Sequence, residues 1–226
     1  LPQLAAHNVV QVGVGRDASY ALTKSGQLLT WQGSPKNKKV ILDNITWFVA
    51  GRTGVFAARE NDELLYIARS QRLFKEGEAT KPIQISSSVL TASIGDSANY
   101  YVTKKGTLFV KGLAHRGQYG DGKLTSTEKY ISVVNKVIAI KAHTGHAILL
   151  KQDGSVMGTG GNIFGPLGRH GVGDKAAKWG TLLTGAVAIA TGSSHSLAIR
   201  EGGSLWHWGR DISLDPQKVL DNVVAA

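Results

Sequence analysis

Three histidines are the side chains of this sequence best suited to bind a metal ion or to transfer a proton: His143, His146 and His195. His143 and His146 are three residues apart, but a metal centre needs further ligands at fixed geometry, and few carboxylates are nearby. The sequence has no cysteine, which excludes disulfides, zinc fingers, iron–sulfur clusters and thiol catalysis. His146 and His195 share one position of an internal repeat, which favours turn histidines bonded to their own sheet. A histidine rim that contacts a partner is the alternative.

Two further arrangements carry residue types found in enzymes. Residues 193–195 together with Asp211 supply the serine, histidine and aspartate of a hydrolase, but residues 153–158 do not place a serine at the centre of a G-x-S-x-G elbow. Residues 13–18 read G-x-G-x-x-A. A dinucleotide site needs a helix after this motif and an acidic residue about 20 positions later, whereas here a second apolar strand follows. We therefore expect no catalytic residue, no metal and no cofactor.

The elements that must position these residues repeat five times along the chain. Each copy has an apolar strand, a small-residue turn, a second apolar strand, a tight hairpin and a third strand, and such a repeat determines the architecture. A small residue follows the first strand at Gly15, Gly51, Gly95, His143 and Gly192. The hairpin tips, where two-residue turns need positive φ, are Ser25-Gly26, Asn61-Asp62, Lys105-Gly106, Asp153-Gly154 and Gly202-Gly203.

Each repeat supplies four short strands, of which the first two are nearly continuous apolar runs. Both apolar faces of such a sheet must be buried against neighbouring sheets. Radial stacking of four-stranded sheets achieves this burial and gives a β-propeller. We therefore predict an all-β chain with no helix longer than about two turns. The prediction is one propeller domain over 1–226, with repeats at about 9–44, 45–88, 89–136, 137–185 and 186–222, and with 1–8 and 223–226 as partial flanking repeats.

The turns recur at the same position in each repeat, and this regularity predicts their local structure. Gly15, Gly51, Gly95 and Gly192 are expected between the first and second strands, where φ values open only to glycine would make a β-branched residue costly. Lys105-Gly106 and Asp153-Gly154 are polar dipeptides between apolar strands. We expect both to be solvent-exposed hairpin tips without a direct role in binding.

Several segments resemble a known repeat family. Residues 112–122 are similar to the G-x-N-x-x-G-Q-L-G-x-G signature of the regulator of chromosome condensation repeat, and residues 160–168 are a second, better copy. Residues 192–198 resemble that family's G-x-x-H-x-x-A-L phrase, and Trp208-Gly209 resembles its W-G ending. The pattern is specific in the last three repeats and eroded in the first two.

The resemblance implies a binding function. Proteins of this family are usually seven-bladed propellers, whereas five repeats are visible here, which implies a piece of a longer chain or a ring completed by something else. Family members bind a small GTPase and chromatin, or inhibit β-lactamases. We therefore expect a non-catalytic protein-binding module. A guanine-nucleotide exchange factor and an enzyme inhibitor, such as the β-lactamase inhibitory type, are alternatives by family analogy.

The net charge of +10 favours contact with anionic partners. The basic residues are scattered, and the densest cluster is Lys36, Lys38 and Lys39. No basic helix or aromatic stacking platform accompanies that cluster. A nucleic-acid or chromatin-binding platform that uses the basic surface is the alternative to a protein-binding module. No apolar run approaches the roughly 18 residues of a membrane-spanning helix.

The order of the strands predicts which connections bind a partner. Strands in a blade run antiparallel, so the turn between the first and second strands shares a face with the loop between the third and fourth. Long, individual loops on a rigid scaffold are where recognition usually resides, and arginine and aromatic side chains dominate binding hot spots. The residues predicted to contact a partner are His115, Arg116, Tyr119, Phe164, Arg169, His170, His146 and His195.

Overall fold

The computed structural model describes residues 5–69, 81–168, 173–211 and 213–224. The chain forms two compact units, Leu1–Val89 and Leu90–Ala226. The strands of the described residues form five four-stranded antiparallel sheets, here called blades 1 to 5, so the predicted all-β class is confirmed. Within the described ranges the only helix is a three-residue 3₁₀ turn, Pro35–Asn37, and no helix there is long and apolar enough to cross a membrane.

The first unit contains blades 1 and 2. Their strands are short runs rich in β-branched and aromatic residues, which pack well on a pleated surface. Glycine, asparagine and aspartate interrupt the runs and supply the turns. Blade 1 consists of β1 (Val9–Val14), β2 (Ser19–Thr23), β3 (Leu28–Trp31) and β4 (Lys39–Leu42), and blade 2 consists of β5 (Ile45–Ala50), β6 (Gly54–Arg59), β7 (Leu64–Ala68) and β8 (Ile83–Ser86).

The second unit contains blades 3 to 5 and begins at the first strand of blade 3. The fourth strand of each blade lies at a sheet edge and is the most polar of the four, as edge strands commonly are. Blade 3 consists of β9 (Val89–Ile94), β10 (Ala98–Thr103), β11 (Leu108–Gly112) and β12 (Thr127–Val134); blade 4 of β13 (Val137–Ala142), β14 (His146–Lys151), β15 (Val156–Gly161) and β16 (Lys175–Leu183); and blade 5 of β17 (Ala186–Thr191), β18 (His195–Arg200), β19 (Leu205–Gly209) and β20 (Ser213–Leu220).

Blades within a unit pack face to face through the apolar side chains of their first three strands. Ile148, Leu150 and Val156 of blade 4 pack against Ile189 and Trp208 of blade 5. Side chains on the opposite face of blade 4 join the core that it shares with blade 3. The core between blades 1 and 2 in the first unit is assembled in the same way. Blade 4, the inner blade of the second unit, therefore buries both of its faces, as the apolar runs of the sequence require.

One backbone hydrogen bond recurs between successive repeats. The residue at the tip of each hairpin between the second and third strands has a φ between 64° and 82°. Its carbonyl accepts the N–H of the first residue of the next repeat, and within a unit this bond fixes the two neighbouring blades in register. The donor and acceptor pairs are Ile45 to Gly26 (2.9 Å), Val89 to Asp62 (3.0 Å), Val137 to Gly106 (3.0 Å), Ala186 to Gly154 (2.9 Å) and Val223 to Gly203 (2.9 Å).

This hydrogen bond corrects one expectation about the hairpin tips. Lys105 and Asp153 are exposed, as predicted, but Gly106 is buried and Gly154 is half-buried. The prediction of solvent exposure is therefore wrong for the glycines, because the first strand of the next blade covers them.

The glycines after the first strands lie where they were predicted, but for another reason. Gly15, Gly51, Gly95 and Gly192 all lie between the first and second strands of their blades. None of them has a φ in the left-handed region. At Gly95, close approach of the neighbouring turn requires the glycine instead. A Cβ on Gly95 would lie 2.8 Å from the carbonyl oxygen of His143 and 3.1 Å from that of Ala98.

We predict that Gly95→Ala lowers the free energy of unfolding by about 1–3 kcal/mol, because two backbone carbonyls must move to admit the methyl group. Urea denaturation followed by circular dichroism measures the change. Gly173→Ala is the matched control, since a Cβ there would meet no atom within 4 Å. Equal losses in the two variants would contradict the steric explanation.

Candidate protein-binding face of the second unit

Backbone hydrogen bonds join two connections of each blade, the turn between the first and second strands and the loop between the third and fourth. The donor is the last residue of the third strand or the residue that follows it. Its N–H donates to a carbonyl of the turn between the first and second strands. In the second unit both kinds of connection therefore lie on one face, as predicted, and we call this the loop face. The bonds run from Leu113 to Ser97 (2.7 Å), from Gly161 to Gly145 (2.8 Å) and from Arg210 to Ser194 (3.0 Å).

Neighbouring turns on the loop face contact one another side by side. The Ser97 hydroxyl donates to the carbonyl of Thr144 at 3.4 Å, and the Thr144 hydroxyl oxygen lies 3.3 Å from that of Ser193. The N–H of Asp96 also donates to the carbonyl of His143 at 3.2 Å. Thr144 and Ser193 are exposed. A row of hydroxyl groups therefore runs along the loop face from blade 3 to blade 5.

The loop 112–122 of blade 3 is held by glycine turns and by one tyrosine. Gly117 and Gly120 have φ values of 82° and 69°, and the N–H of Gly120 donates to the carbonyl of Gly117 at 3.0 Å. The Tyr119 side chain is buried. Its hydroxyl donates to a carbonyl at the start of the loop at 2.5 Å and accepts the N–H of Thr127 at 2.9 Å. The loop is therefore fixed from inside.

The corresponding loop of blade 4, residues 160–168, is fixed by blade 5. The carbonyl of Pro166 accepts two hydrogen bonds, one from the indole N–H of Trp208 at 2.8 Å and one from the hydroxyl of Ser196 at 2.9 Å. Leu167 occupies the position that Tyr119 occupies in blade 3, and it is likewise buried. The loop is thus part of the folded core and presents its remaining side chains on a rigid backbone.

Among the exposed side chains on the loop face are His115 and Arg116 of blade 3, Phe164 of blade 4 and Arg210 of blade 5. The guanidinium carbon of Arg210 lies 4.7 Å from the ring centroid of Phe164, a cation–π contact between blades 4 and 5. Arg116 extends from blade 3 over the turn of blade 4, so that a Cβ on Gly145 would lie 3.4 Å from its Cδ. The two arginines therefore flank the loop of blade 4. The exposed ring of Phe164 lies on that loop, in contact with Arg210.

Two predicted contact residues are corrected by their burial. Tyr119 and His146 are both buried, so their side chains support the loop face from below and do not reach its surface. Tyr119 stands at a repeat position whose side chain is buried in the core, and Leu167 is buried at the same position of blade 4. His195 is half-buried. Arg169 and His170 lie outside the described residues.

The structure adds residues that the sequence analysis did not select. Arg210 was not predicted, although it directly follows the W-G ending of blade 5, where a residue after the third strand must emerge on the loop face. Ile163 was also missed, and it is among the most exposed apolar side chains of this face. Its position directly before Phe164 in a glycine-bounded loop was the available signal.

His146 is a buried ionisable group at the start of β14, directly after the turn of blade 4. Burial, reinforced by the neighbouring His143 and His195, lowers the pKa of His146 to about 4. Its Nε2 atom lies 3.4 Å from the Ser196 hydroxyl of blade 5. The imidazole is therefore neutral at pH 7. Within the described part of the chain, no three His, Asp or Glu side chains are grouped so that they could hold a metal ion.

Comparison with known proteins defines the class of this fold. Residues 186–211, the first three strands of blade 5, match the family model of the regulator of chromosome condensation (RCC1) repeat. The chain aligns over 95% of its length with the crystal structure of yeast RCC1 (Prp20) bound to Kap60, with a TM-score of 0.76 and 17% identity, and covers 64% of that chain. The predicted β-propeller class is therefore confirmed. In its fold, and in the repeat at residues 186–211, the chain is similar to proteins built from RCC1 repeats.

Two curated relatives share part of their sequence with this chain. The human probable E3 ubiquitin-protein ligase HERC6 is 28% identical over 146 residues, which are 60% of this chain and 14% of that protein. The bovine secretion-regulating guanine nucleotide exchange factor is 31% identical over 134 residues, which are 55% of this chain and 28% of that protein. The chain thus spans less than one third of the length of either relative.

We predict that the protein loses stability as the pH falls from about 6.5 to 4. His146 binds a proton near pH 6.5 when unfolded but only near pH 4 when folded, so the unfolded state binds more protons between these values and is favoured there. The loss should reach about 3 kcal/mol. Urea unfolding at pH 7, 5.5 and 4 measures it. His146→Gln should show a shallower pH dependence, and an unchanged dependence would contradict the assignment.

We also predict that Tyr119→Phe lowers the free energy of unfolding by about 1–3 kcal/mol. The change removes the hydroxyl that accepts the N–H of Thr127, and a buried backbone donor is left without its partner. Thermal and urea unfolding provide the measurement. The exposed neighbour His115 supplies the control, since His115→Phe should leave stability nearly unchanged. A Tyr119→Phe protein as stable as the parent would show that the loop does not depend on this bond.

Proposed function

We propose that this chain is a non-catalytic protein-binding module that engages its partner through the loop face of the second unit. The observation that carries the proposal is the arrangement of Arg116, Phe164 and Arg210. These side chains are exposed, yet they stand on loops whose backbones are hydrogen-bonded into the core. Pre-ordered arginine and aromatic side chains lose little entropy on binding, and such residues dominate protein interfaces.

The chemistry of the loop face indicates a partner that offers both carboxylates and an apolar group. Among the described residues, no carboxylate lies within ion-pair distance of the Arg116 guanidinium. Arg210 contacts Asp211 at 3.4 Å, but both side chains are largely exposed, so this pair contributes little and can exchange with a partner's acid. Phe164 is 46% exposed and offers an apolar contact between the two cations.

The relatives are consistent with binding through such a module. Yeast RCC1 is the RCC1-type propeller that was crystallised with the protein Kap60, and the bovine relative is named a guanine nucleotide exchange factor. Both names describe proteins that act on other proteins. Exchange activity is a narrower hypothesis, and no residue of this chain specifically favours it over binding alone.

The experiment is a quantitative affinity capture from source-cell extract with three proteins. They are the parent chain, the loop-face variant Arg116→Glu/Phe164→Ala, and the control variant Lys105→Glu/Gln152→Ala on the opposite hairpins. The two variants change charge equally and each shortens one further exposed side chain. We expect a protein ligand whose recovery falls at least about tenfold with the loop-face variant and is unchanged with the control.

Two outcomes would contradict the proposal. Loss of the ligand with the control but not with the loop-face variant would place binding on the hairpin side. Capture that disappears after nuclease treatment, and that falls steeply between 50 and 200 mM salt, would instead indicate the nucleic-acid platform, because phosphate binding releases counterions.

A further inference from the structure

Arg116 is an exposed arginine whose main chain is fixed by blade 3 and whose side chain rests on blade 4. Its backbone N–H donates to Oε1 of Gln118 at 2.9 Å, and Gln118 is buried. A Cβ on Gly145 would lie 3.4 Å from both Cδ and Nη1 of Arg116, and a Cβ on Gly161 would lie 3.3 Å from the same Cδ. The guanidinium is therefore held against these two glycines before any partner binds.

The Arg116 guanidinium has no counter-charge within the chain. Among the described residues, no carboxylate lies within ion-pair distance of it, Asp96 of the neighbouring turn included. A guanidinium keeps its charge at neutral pH and offers its N–H donors as a rigid planar fork. An ordered and exposed cation of this kind favours an anionic ligand, because charge-assisted hydrogen bonds are the strong ones.

Three exposed polar side chains lie beside the turn on which the guanidinium rests. Gly145 directly follows Thr144, whose hydroxyl oxygen lies 3.0 Å from Nδ1 of His143. The same oxygen lies 3.3 Å from the hydroxyl oxygen of Ser193 in blade 5. His143, Thr144 and Ser193 are all exposed, and each can donate a hydrogen bond to an oxygen-rich group. We call these three residues and Arg116 the Arg116 cluster.

We propose that the Arg116 cluster binds the phosphoryl group of a phosphorylated serine or threonine on the protein partner. A carboxylate has two oxygens, which the fork of one arginine already occupies. A phosphoryl group carries three acceptor oxygens and a charge of about −1.5 to −2, so it can accept from the guanidinium and from the hydroxyls of Thr144 and Ser193 together. The inference rests on the proposed function, because it names the group that the partner brings to Arg116.

The first test compares four small probes on the parent chain by NMR chemical-shift titration. The probes are a blocked tripeptide with phosphoserine between two glycines, the same tripeptide with glutamate or with serine, and a thymidine dinucleotide. We expect saturable binding of the phosphoserine peptide, at least about threefold tighter than that of the glutamate peptide because of its larger charge. Equal binding of these two peptides would overturn the inference. A dinucleotide that binds as tightly as the phosphoserine peptide would also overturn it, by assigning the site to nucleic acid.

Variants of the chain locate the binding. Arg116→Gln should weaken binding of the phosphoserine peptide at least about tenfold, since a hydrogen bond to a charged group is lost. Arg116→Lys keeps the charge but not the fork, so it should recover only part of that loss. Thr144→Val should weaken binding roughly two- to tenfold. If Thr144→Val loses its β-sheet circular dichroism, Ser193→Ala replaces it.

Lys105→Gln is the matched control, because it removes the same charge from an exposed hairpin tip on the side opposite to the loop face. Binding of the phosphoserine peptide should be unchanged in this variant. Equal weakening by Arg116→Gln and Lys105→Gln would overturn the inference, since the attraction would then come from the net charge of the chain.

Affinity capture separates this inference from the proposed function. Treatment of the extract with a protein phosphatase should abolish recovery of the ligand by the parent chain. If recovery survives the phosphatase but still falls with Arg116→Glu/Phe164→Ala, the inference is wrong and the proposed function stands. If recovery does not depend on the loop-face variant at all, the proposed function itself is wrong, and the inference falls with it.

Discussion

The structure depends on the way neighbouring small sheets within a unit cover one another's apolar faces. A four-stranded antiparallel sheet with apolar residues on both sides cannot fold alone in water, and a neighbouring sheet of the same composition is the simplest cover. Blade 4 shows the complete arrangement, with Ile148 and Leu150 under blade 5 and the opposite face joined to blade 3. Within each unit, the hydrogen bond from a hairpin tip to the next repeat then fixes the register of neighbouring blades. The loop face follows from this stacking, because it brings successive turns side by side.

The same stacking gives the loops their rigidity. The carbonyl of Pro166 in blade 4 is held by Trp208 and Ser196 of blade 5, and the Thr159 hydroxyl of blade 4 donates to the carbonyl of Gly117 in the loop of blade 3 at 2.8 Å. Each loop is therefore anchored by the blade that follows it. The exposed side chains of Arg116 and Phe164 take no part in these hydrogen bonds, so their chemistry can differ without loss of the anchoring.

Much of this architecture could be predicted from the sequence, because the repeat fixes the phase of strands and turns. Apolar strands at constant spacing predict the all-β class and the turn positions of Gly95 and Gly192. They also predict that the turn between the first and second strands shares a face with the loop between the third and fourth. The burial of Tyr119 and the reason for glycine at position 95 do not, since they depend on atoms of neighbouring segments. Arg210 escaped selection because its role depends on the ring of Phe164, which is 46 positions away in the chain.

We propose that the loop face of the second unit binds a protein partner. Hydrogen–deuterium exchange of the chain, alone and saturated with its captured ligand, tests this claim most directly, since it locates the contact without altering any residue. We predict slower exchange on binding in the loops 112–122 and 160–168, with little change in the hairpins around Lys105 and Asp153. Protection confined to those hairpins, with the two loops unchanged, would contradict it.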